Sequence, residues 1–138
     1  MAAPAPFDYA VVRVVPCVER GECVNVGVIL FCRTRRYLEA RIELIPERVR
    51  ALWPAADLEE IAEHLAVVPR VCAGGPEAGP IGQLPLHERF RWLVAPRSTV
   101  IQVSPVHAGL CLDPRATLEH LMATMVRLPD WPAAPAAR

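Results

Sequence analysis

One segment limits the fold of this chain more than any other, the run ECVNVGVILFCR at residues 22–33. It is rich in β-branched and apolar residues and has no helical period, so it is predicted to be a strand. Successive side chains of a strand point to opposite faces, and here both faces are largely apolar. Val26 and Val28 represent one face, and Ile29 and Phe31 represent the other. Such a strand belongs in the middle of a sheet.

Three further segments have strand character. Residues 7–15, FDYAVVRVV, precede the central run and are separated from it by a turn region, which predicts an antiparallel hairpin. Residues 36–44, RYLEARIEL, alternate between apolar and polar side chains, which predicts a strand with one face in water. Residues 98–104, STVIQVS, return to strand character. The sheet therefore has about four or more strands.

Helical periodicity fills the rest of the chain. The predicted helices begin at Pro46, at Leu58 after an Asp57 cap, at Leu86, and at Pro114 after an Asp113 cap. The run from Pro69 to Pro85 holds four of the chain's seven glycines and four prolines, so it is predicted to be a surface loop. Pro105 and Gly109 mark a further turn.

The length fits one domain. The chain has 138 residues, of which 53% are hydrophobic, enough for a single core. We predict one α+β domain over residues 7–128, built as an antiparallel sheet with helices packed on one face. Residues 1–6 are expected to form a disordered tail, and so are the Pro- and Ala-rich residues 129–138.

Charge and cysteine content exclude several classes of protein. Fifteen acidic residues balance fifteen basic ones, so the whole-molecule field that favours nucleic acid or an anionic membrane is missing. Every basic residue is arginine, which excludes Schiff-base lysine chemistry and a P-loop lysine. No apolar run is long enough to span a membrane, and the first six residues do not resemble a signal peptide, so a cytoplasmic location is expected. Five cysteines without a C-x-x-C pair indicate reduced thiols, and neither a metal nor a cofactor is predicted.

The richest polar segment surrounds the last predicted strand. Alternation puts the side chains of Ser98, Gln102 and Ser104 on one face. Arg97 before the strand and His107 after it would then close on an anionic or amide-bearing ligand. The alternative is a half-exposed strand whose polar face meets water. A serine hydrolase is not expected, because no G-x-S-x-G elbow or orienting acid accompanies these residues.

Arg13 and the arginines of one turn each have two alternative roles. Arg13 interrupts a strand of valines, so it either pairs with a carboxylate such as Glu39 or Glu88 or lines a cleft. The arginines of the turn before residue 37 have two interpretations as well, contact with phosphates or simple exposure to water, and the second is favoured. These turn arginines are Arg33, Arg35 and Arg36.

Four runs together resemble one bacterial family, domain of unknown function 3037. The runs are YAVVRVVP at 9–16, NVGVILF at 25–31, ERFRWLVAPRST at 88–99, and SPVH at 104–107. The resemblance covers nearly the whole chain, from about Phe7 to Arg127. It carries no assigned activity and no catalytic residues. It does imply a partner, because such proteins are associated with genes for kinases that resemble the HipA toxin.

Two hypotheses of function follow. In the first, the protein is a non-enzymatic binding or regulatory module, an accessory partner of a HipA-like kinase, that uses an exposed sheet face or the segment 97–107. In the second, it is a small enzyme or sensor for an anionic or phosphate-bearing small molecule. Arg13, Arg89 and Arg97 would hold the anion there and His107 would be the acid or base, so these side chains should converge in one pocket. The apolar strand faces near Val26 also leave room for a homodimer interface.

Overall fold

Five strands form one antiparallel sheet in the computed structural model, which describes residues 3–97 and 99–129. The strands are β1 (Ala5–Val14), β2 (Val24–Cys32), β3 (Tyr37–Ile42), β4 (Ile101–Val103) and β5 (His107–Cys111). The helices are α1 (Pro46–Leu52), α2 (Leu58–Ala73), α3 (Leu86–Leu93) and α4 (Pro114–Leu121), which continues into a π-helical turn at Met122–Val126. The predicted α+β class and antiparallel sheet are confirmed.

The sheet has β1 and β2 at its centre, with β3 beyond β2. On its other side β1 pairs with two short strands that lie end to end. Residues 12–14 pair with β4, and residues 5–9 pair with β5. A bulge between Val12 and Arg13 shifts the register of β1 against β2. The central position predicted for residues 22–33 is therefore found. The predicted faces are wrong at the bulge, because Val26 lies in the core of Ile29 and Phe31 while Val28 lies in the other core.

The first face of the sheet packs against α2 and α3. Ile61 and Leu65 of α2 and Phe90 of α3 are buried there against the inward side chains of β2 and β3. The Asp57 carboxylate accepts a hydrogen bond from the Glu60 amide, so the predicted cap starts α2. Burial of this apolar stripe holds the two helices on the sheet.

The second face of the sheet packs against α4 and the π-helical turn. Val28 and Leu30 of β2 meet Leu118 and Met122, all fully or almost fully buried. The structure thus adds a helical layer to the single layer that the sequence predicts. The reason lies in β2, whose side chains are apolar on both faces and need cover on both.

The strand β5 occupies residues where a turn is predicted. Gly109 lies inside β5 opposite Phe7. A β-carbon at Gly109 would lie 2.9 Å from the Phe7 ring, so the glycine permits close packing of that ring. The pairing of Ala5 with Cys111 also starts β1 ahead of the predicted domain start at residue 7.

The predicted loop from Pro69 to Pro85 is partly helical. The helix α2 continues through Pro69 to Ala73, because Val71 and Cys72 are buried in the apolar core between α2, α3 and the first face of the sheet. Gly74, at φ +74°, then ends it. Two short 3₁₀ turns follow, at Pro76–Ala78 and Pro80–Gln83.

Two remaining expectations concern the membrane and the C-terminal tail. No helix within the described residues is long and apolar enough to cross a membrane. Most of the predicted tail, residues 130–138, lies outside the described residues.

Candidate functional site

Two of the predicted site residues are neighbours in the sheet. Arg13 of β1 lies opposite Gln102 of β4, with Asn25 of β2 on its other side. The Arg13 Nε is buried without a hydrogen-bond partner, and no carboxylate pairs with this side chain in the described ranges. The predicted ion pair of Arg13 is therefore not formed there. The Gln102 amide turns to its own loop and donates to the Thr99 carbonyl at 2.9 Å.

Ser104 and His107 have structural contacts of their own. Ser104 is buried, and its Oγ accepts from the Val11 amide at 2.8 Å and donates to the Pro105 carbonyl at 2.9 Å. His107 is exposed on β5, with its ring centroid 5.3 Å from that of Tyr9. Because the Ser104 proton already has a backbone acceptor, the two residues do not form a nucleophile and base. Ser98, the other predicted hydroxyl, lies outside the described residues.

Arg97 follows α3 and contacts the end of that helix. Its guanidinium stacks over the Trp92 ring, 4.4 Å from the ring centroid, and donates to the Trp92 carbonyl at 2.8 Å. This stacking is a cation–π contact. It adjoins a small cavity of about 240 Å³ that also includes His64 and Ile101.

Arg89 holds the C-terminal end of α2. Its Nη1 donates to the carbonyls of Val71 at 3.0 Å and Cys72 at 2.9 Å, and its Nε donates to that of Leu84 at 2.9 Å. A cation at this end of a helix satisfies carbonyls that have no partner within the helix. Arg89 and Arg97 line two different cavities, and neither cavity is lined by Arg13 or His107.

Arg89 also lines a cavity that the sequence analysis did not predict. This hairpin-tip cavity has a volume of about 410 Å³ and lies between the β2–β3 turn and the start of α3. It is lined by Phe31, Arg33, Arg36, Pro85, Leu86, His87 and Arg89. The third arginine of the turn, Arg35, points elsewhere and donates to the carbonyls of Ala3 and Leu112. The turn arginines thus divide between a structural and a cavity-lining role.

A second surface feature is the outer edge of β5. The β5 edge, residues 107–112, pairs with β1 on one side and with no strand on the other in the described part of the chain. Leu110 is 71% exposed and Leu112 is 63% exposed. An open groove of about 550 Å³ runs between this edge and α4, lined in part by Phe7, Ala116 and His120. The edge shares only His107 with the segment 97–107 that was predicted to be a contact surface.

The thiols of Cys72 and Cys111 are poor nucleophiles. Burial in the first core raises the pKa of Cys72 to about 12, and burial beside Cys32 raises the pKa of Cys111. Neither side chain supplies a thiolate at neutral pH. Within the described residues, no group of three or more His, Cys, Asp or Glu side chains is placed to hold a metal ion.

Comparison with protein families matches residues 9–126 to the model described as "Protein of unknown function (DUF3037)". The chain belongs to this family. The match begins within β1 and ends with the π-helical turn, so it includes all of the sheet except residues 5–8, both helical layers and the hairpin-tip cavity. The resemblance seen in the sequence is confirmed. The comparison with curated proteins found no match, and the comparison with solved structures found none.

Proposed function

We propose that this DUF3037 chain is a non-enzymatic binding module that pairs a strand of a partner protein with the β5 edge. The observation that carries the proposal is a strand edge with exposed apolar side chains and no paired strand among the described residues. The Ser104 hydroxyl is bonded to the backbone, and Cys72 and Cys111 lie in the apolar cores. Strand addition of this kind takes its affinity from backbone hydrogen bonds and its specificity from alternate side chains.

The directions of the backbone amides and carbonyls of β1 support the proposal that β5 has free backbone groups on its outer side. Two hydrogen bonds join β1 and its continuation to the segment around β4: the Ser104 amide donates to the Val11 carbonyl at 2.9 Å, and the Val15 amide donates to the Val100 carbonyl at 2.7 Å. Backbone groups of a strand alternate in direction. The odd-numbered residues of β1 therefore direct their amides and carbonyls towards β4 and β5.

The same alternation fixes which groups of β5 face the solvent. Phe7, an odd-numbered residue, lies opposite Gly109, whereas Pro6 lies opposite Leu110 and has no amide to donate. Gly109 is then in a hydrogen-bonded pair with β1. Ala108 and Leu110 direct their amides and carbonyls outward, where an added strand would find them.

The two outer edges of the sheet differ in charge. The opposite edge strand, β3, carries Glu39 and Arg41, and charged side chains are a common protection of an edge against pairing. Residues 105–112, PVHAGLCL, contain no acidic or arginine side chain. The β5 edge therefore lacks that protection and suits an apolar, extended partner segment.

The HipA-like kinase implied by the family resemblance is the partner to test first. The tagged full chain is co-expressed with the HipA-like kinase of its own host, and the stoichiometry of the purified complex and its Kd are measured. Stoichiometric recovery of the kinase supports the proposal. Recovery of the chain alone, or with a retained metabolite that it converts, contradicts it.

Two variants locate the contact. Ala108→Pro removes an outward amide that is not bonded to β1, and edge strands tolerate proline. Leu110→Arg places a charged side chain on the edge. Each is expected to weaken kinase binding by at least tenfold, about 1.4 kcal/mol. Leu128→Arg is the matched control, because Leu128 is 63% exposed and lies outside the edge. Equal binding by all three variants would place the contact elsewhere. A homodimer that depends on Leu110 and excludes the kinase would instead assign the edge to a second copy.

A further inference from the structure

We propose that the hairpin-tip cavity binds the phosphate-monoester group of a small molecule. The cavity brings arginines from two distant parts of the chain together, Arg33 and Arg36 from the β2–β3 turn and Arg89 from α3. Its volume of about 410 Å³ falls in the range of small-molecule sites, roughly 300–1,000 Å³. The site is separate from the β5 edge, so it does not depend on a protein partner there.

The cations in the cavity have few partners of their own. Arg33 and Arg36 are exposed and form no ion pair with a carboxylate in the described part of the chain. Arg89 commits its Nε and Nη1 to backbone carbonyls, and these bonds fix the plane of its guanidinium before a ligand arrives. Three guanidinium groups complement a dianion better than a monoanion, which favours a phosphate monoester over a sulfate ester or a carboxylate.

The start of α3 adds backbone donors. Pro85 precedes the helix and supplies no side-chain cap. Its carbonyl accepts hydrogen bonds from the amides of Glu88 and Arg89. The first amides of the helix, at Leu86 and His87, belong to residues that line the cavity. Unsatisfied amides at a helix start attract an anion.

The backbone at Arg36 is an unusual place for arginine. Its φ is +52°, a left-handed conformation that glycine and asparagine adopt most readily. Among the described residues it is the only one other than glycine with a positive φ. Sparsely populated backbone conformations cluster at ligand sites, and the Arg36 side chain lines the cavity.

The apolar part of the cavity accounts for the rest of the ligand. Phe31 stacks on Phe90 with ring centroids 5.1 Å apart, and Pro85 and Leu86 lie beside it. This wall is suited to a flat or apolar group attached to the phosphate. Phenyl phosphate carries both parts and is the probe of choice.

The test is a calorimetric titration of the full chain with phenyl phosphate, phenyl sulfate and inorganic phosphate, combined with amide chemical shifts. Phenyl phosphate is expected to bind saturably, at least tenfold more tightly than the other two anions. The largest shifts are expected at the Leu86 and His87 amides. Absence of saturable binding at millimolar phenyl phosphate overturns the proposal, and so does equal binding of phenyl sulfate.

Three variants make the result specific. Arg36→Gly suits the left-handed backbone, so it should keep or raise the melting temperature while phenyl phosphate affinity falls at least tenfold. Arg33→Ala should lower the affinity in the same direction. Arg50→Ala removes an exposed arginine of α1 and should leave the affinity unchanged. Wild-type affinity in Arg36→Gly overturns the proposal, as does an equal loss in Arg50→Ala. A phosphoserine peptide that binds more tightly than phenyl phosphate would assign the cavity to a modified protein.

Discussion

The two faces of the sheet are covered in different ways. The first face is closed by α2 and α3 through apolar contacts, with a core that draws on residues of every element from β1 to α3. The second face is closed by α4 and its π-helical turn over a smaller apolar core. Ion pairs surround that smaller core. Arg41 pairs with Glu119, and Arg127 pairs with both Glu43 and Glu119.

Hydrogen bonds to the backbone complete the second face. The Asn25 side chain donates to the Met125 carbonyl at 3.0 Å, and Arg48 of α1 donates to the Val126 carbonyl at 2.9 Å. Carbonyls at the end of a helix need such partners. The first face therefore depends mainly on buried area, although Arg89 bonds the end of α2 there. The second face has a smaller apolar core and depends also on its ion pairs. We expect α4 to loosen before α2, and its stability to respond to pH and salt.

The largest effect is expected from Leu65→Ala in the first face. Leu65 is 2% exposed, and removal of a buried leucine side chain leaves a cavity that lowers the free energy of unfolding by about 3 kcal/mol. Urea denaturation at low and high salt measures the loss, which should be the same at both. A loss below about 1 kcal/mol, or one that depends on salt, would mean that the first face is not held by packing.

A smaller and more local effect is expected from Asn25→Ala in the second face. Loss of its hydrogen bond to the Met125 carbonyl should lower the free energy of unfolding by about 1 kcal/mol. Hydrogen exchange should become faster in residues 114–126 and stay unchanged in α2. Gln83→Ala removes an exposed amide and is the control. Faster exchange in α2 as well would show that the two faces open together.

The sequence predicted the elements whose signals are local. The Asp57 and Asp113 caps start α2 and α4 as expected, because a cap depends only on residues of the same turn. The alternation of apolar and polar residues over 36–44 likewise predicts which side chains of β3 face the core. The β5 strand was missed, because Gly109 is typical of a turn and only its contact with the Phe7 ring, about a hundred positions away, explains it.

The candidate sites depend on contacts that one sequence does not show. Gln102 lies beside Arg13 because of strand register, and Arg89 holds carbonyls of α2 across the intervening 3₁₀ turns. The hairpin-tip cavity forms where the β2–β3 turn meets α3. Turn arginines alone do not distinguish exposure to water from a binding site, since that depends on what packs beside the turn.

The smallest effect is expected from the charges of the second face. A hydrogen bond from Arg127 lowers the pKa of the Glu119 carboxyl below its ordinary value. A carboxyl with a lowered pKa in the folded state adds stability above its unfolded pKa, and this stability is lost as the pH falls through the folded pKa. Part of the loss of melting temperature on acidification, from about pH 5 to pH 3, should therefore come from Glu119.

Glu119→Gln should flatten that part of the pH profile, whereas Glu63→Gln, an exposed carboxyl of α2, should leave it unchanged. The side chain of Glu119 is 50% exposed, so solvent screens its interactions, and added salt should narrow the difference between wild type and variant. Hydrogen exchange in α4 should follow the same pH dependence while exchange in α2 does not. If Glu63→Gln and Glu119→Gln change the pH profile equally, the acid response belongs to the whole surface, and the contrast between the two faces would then reduce to the size of their apolar cores.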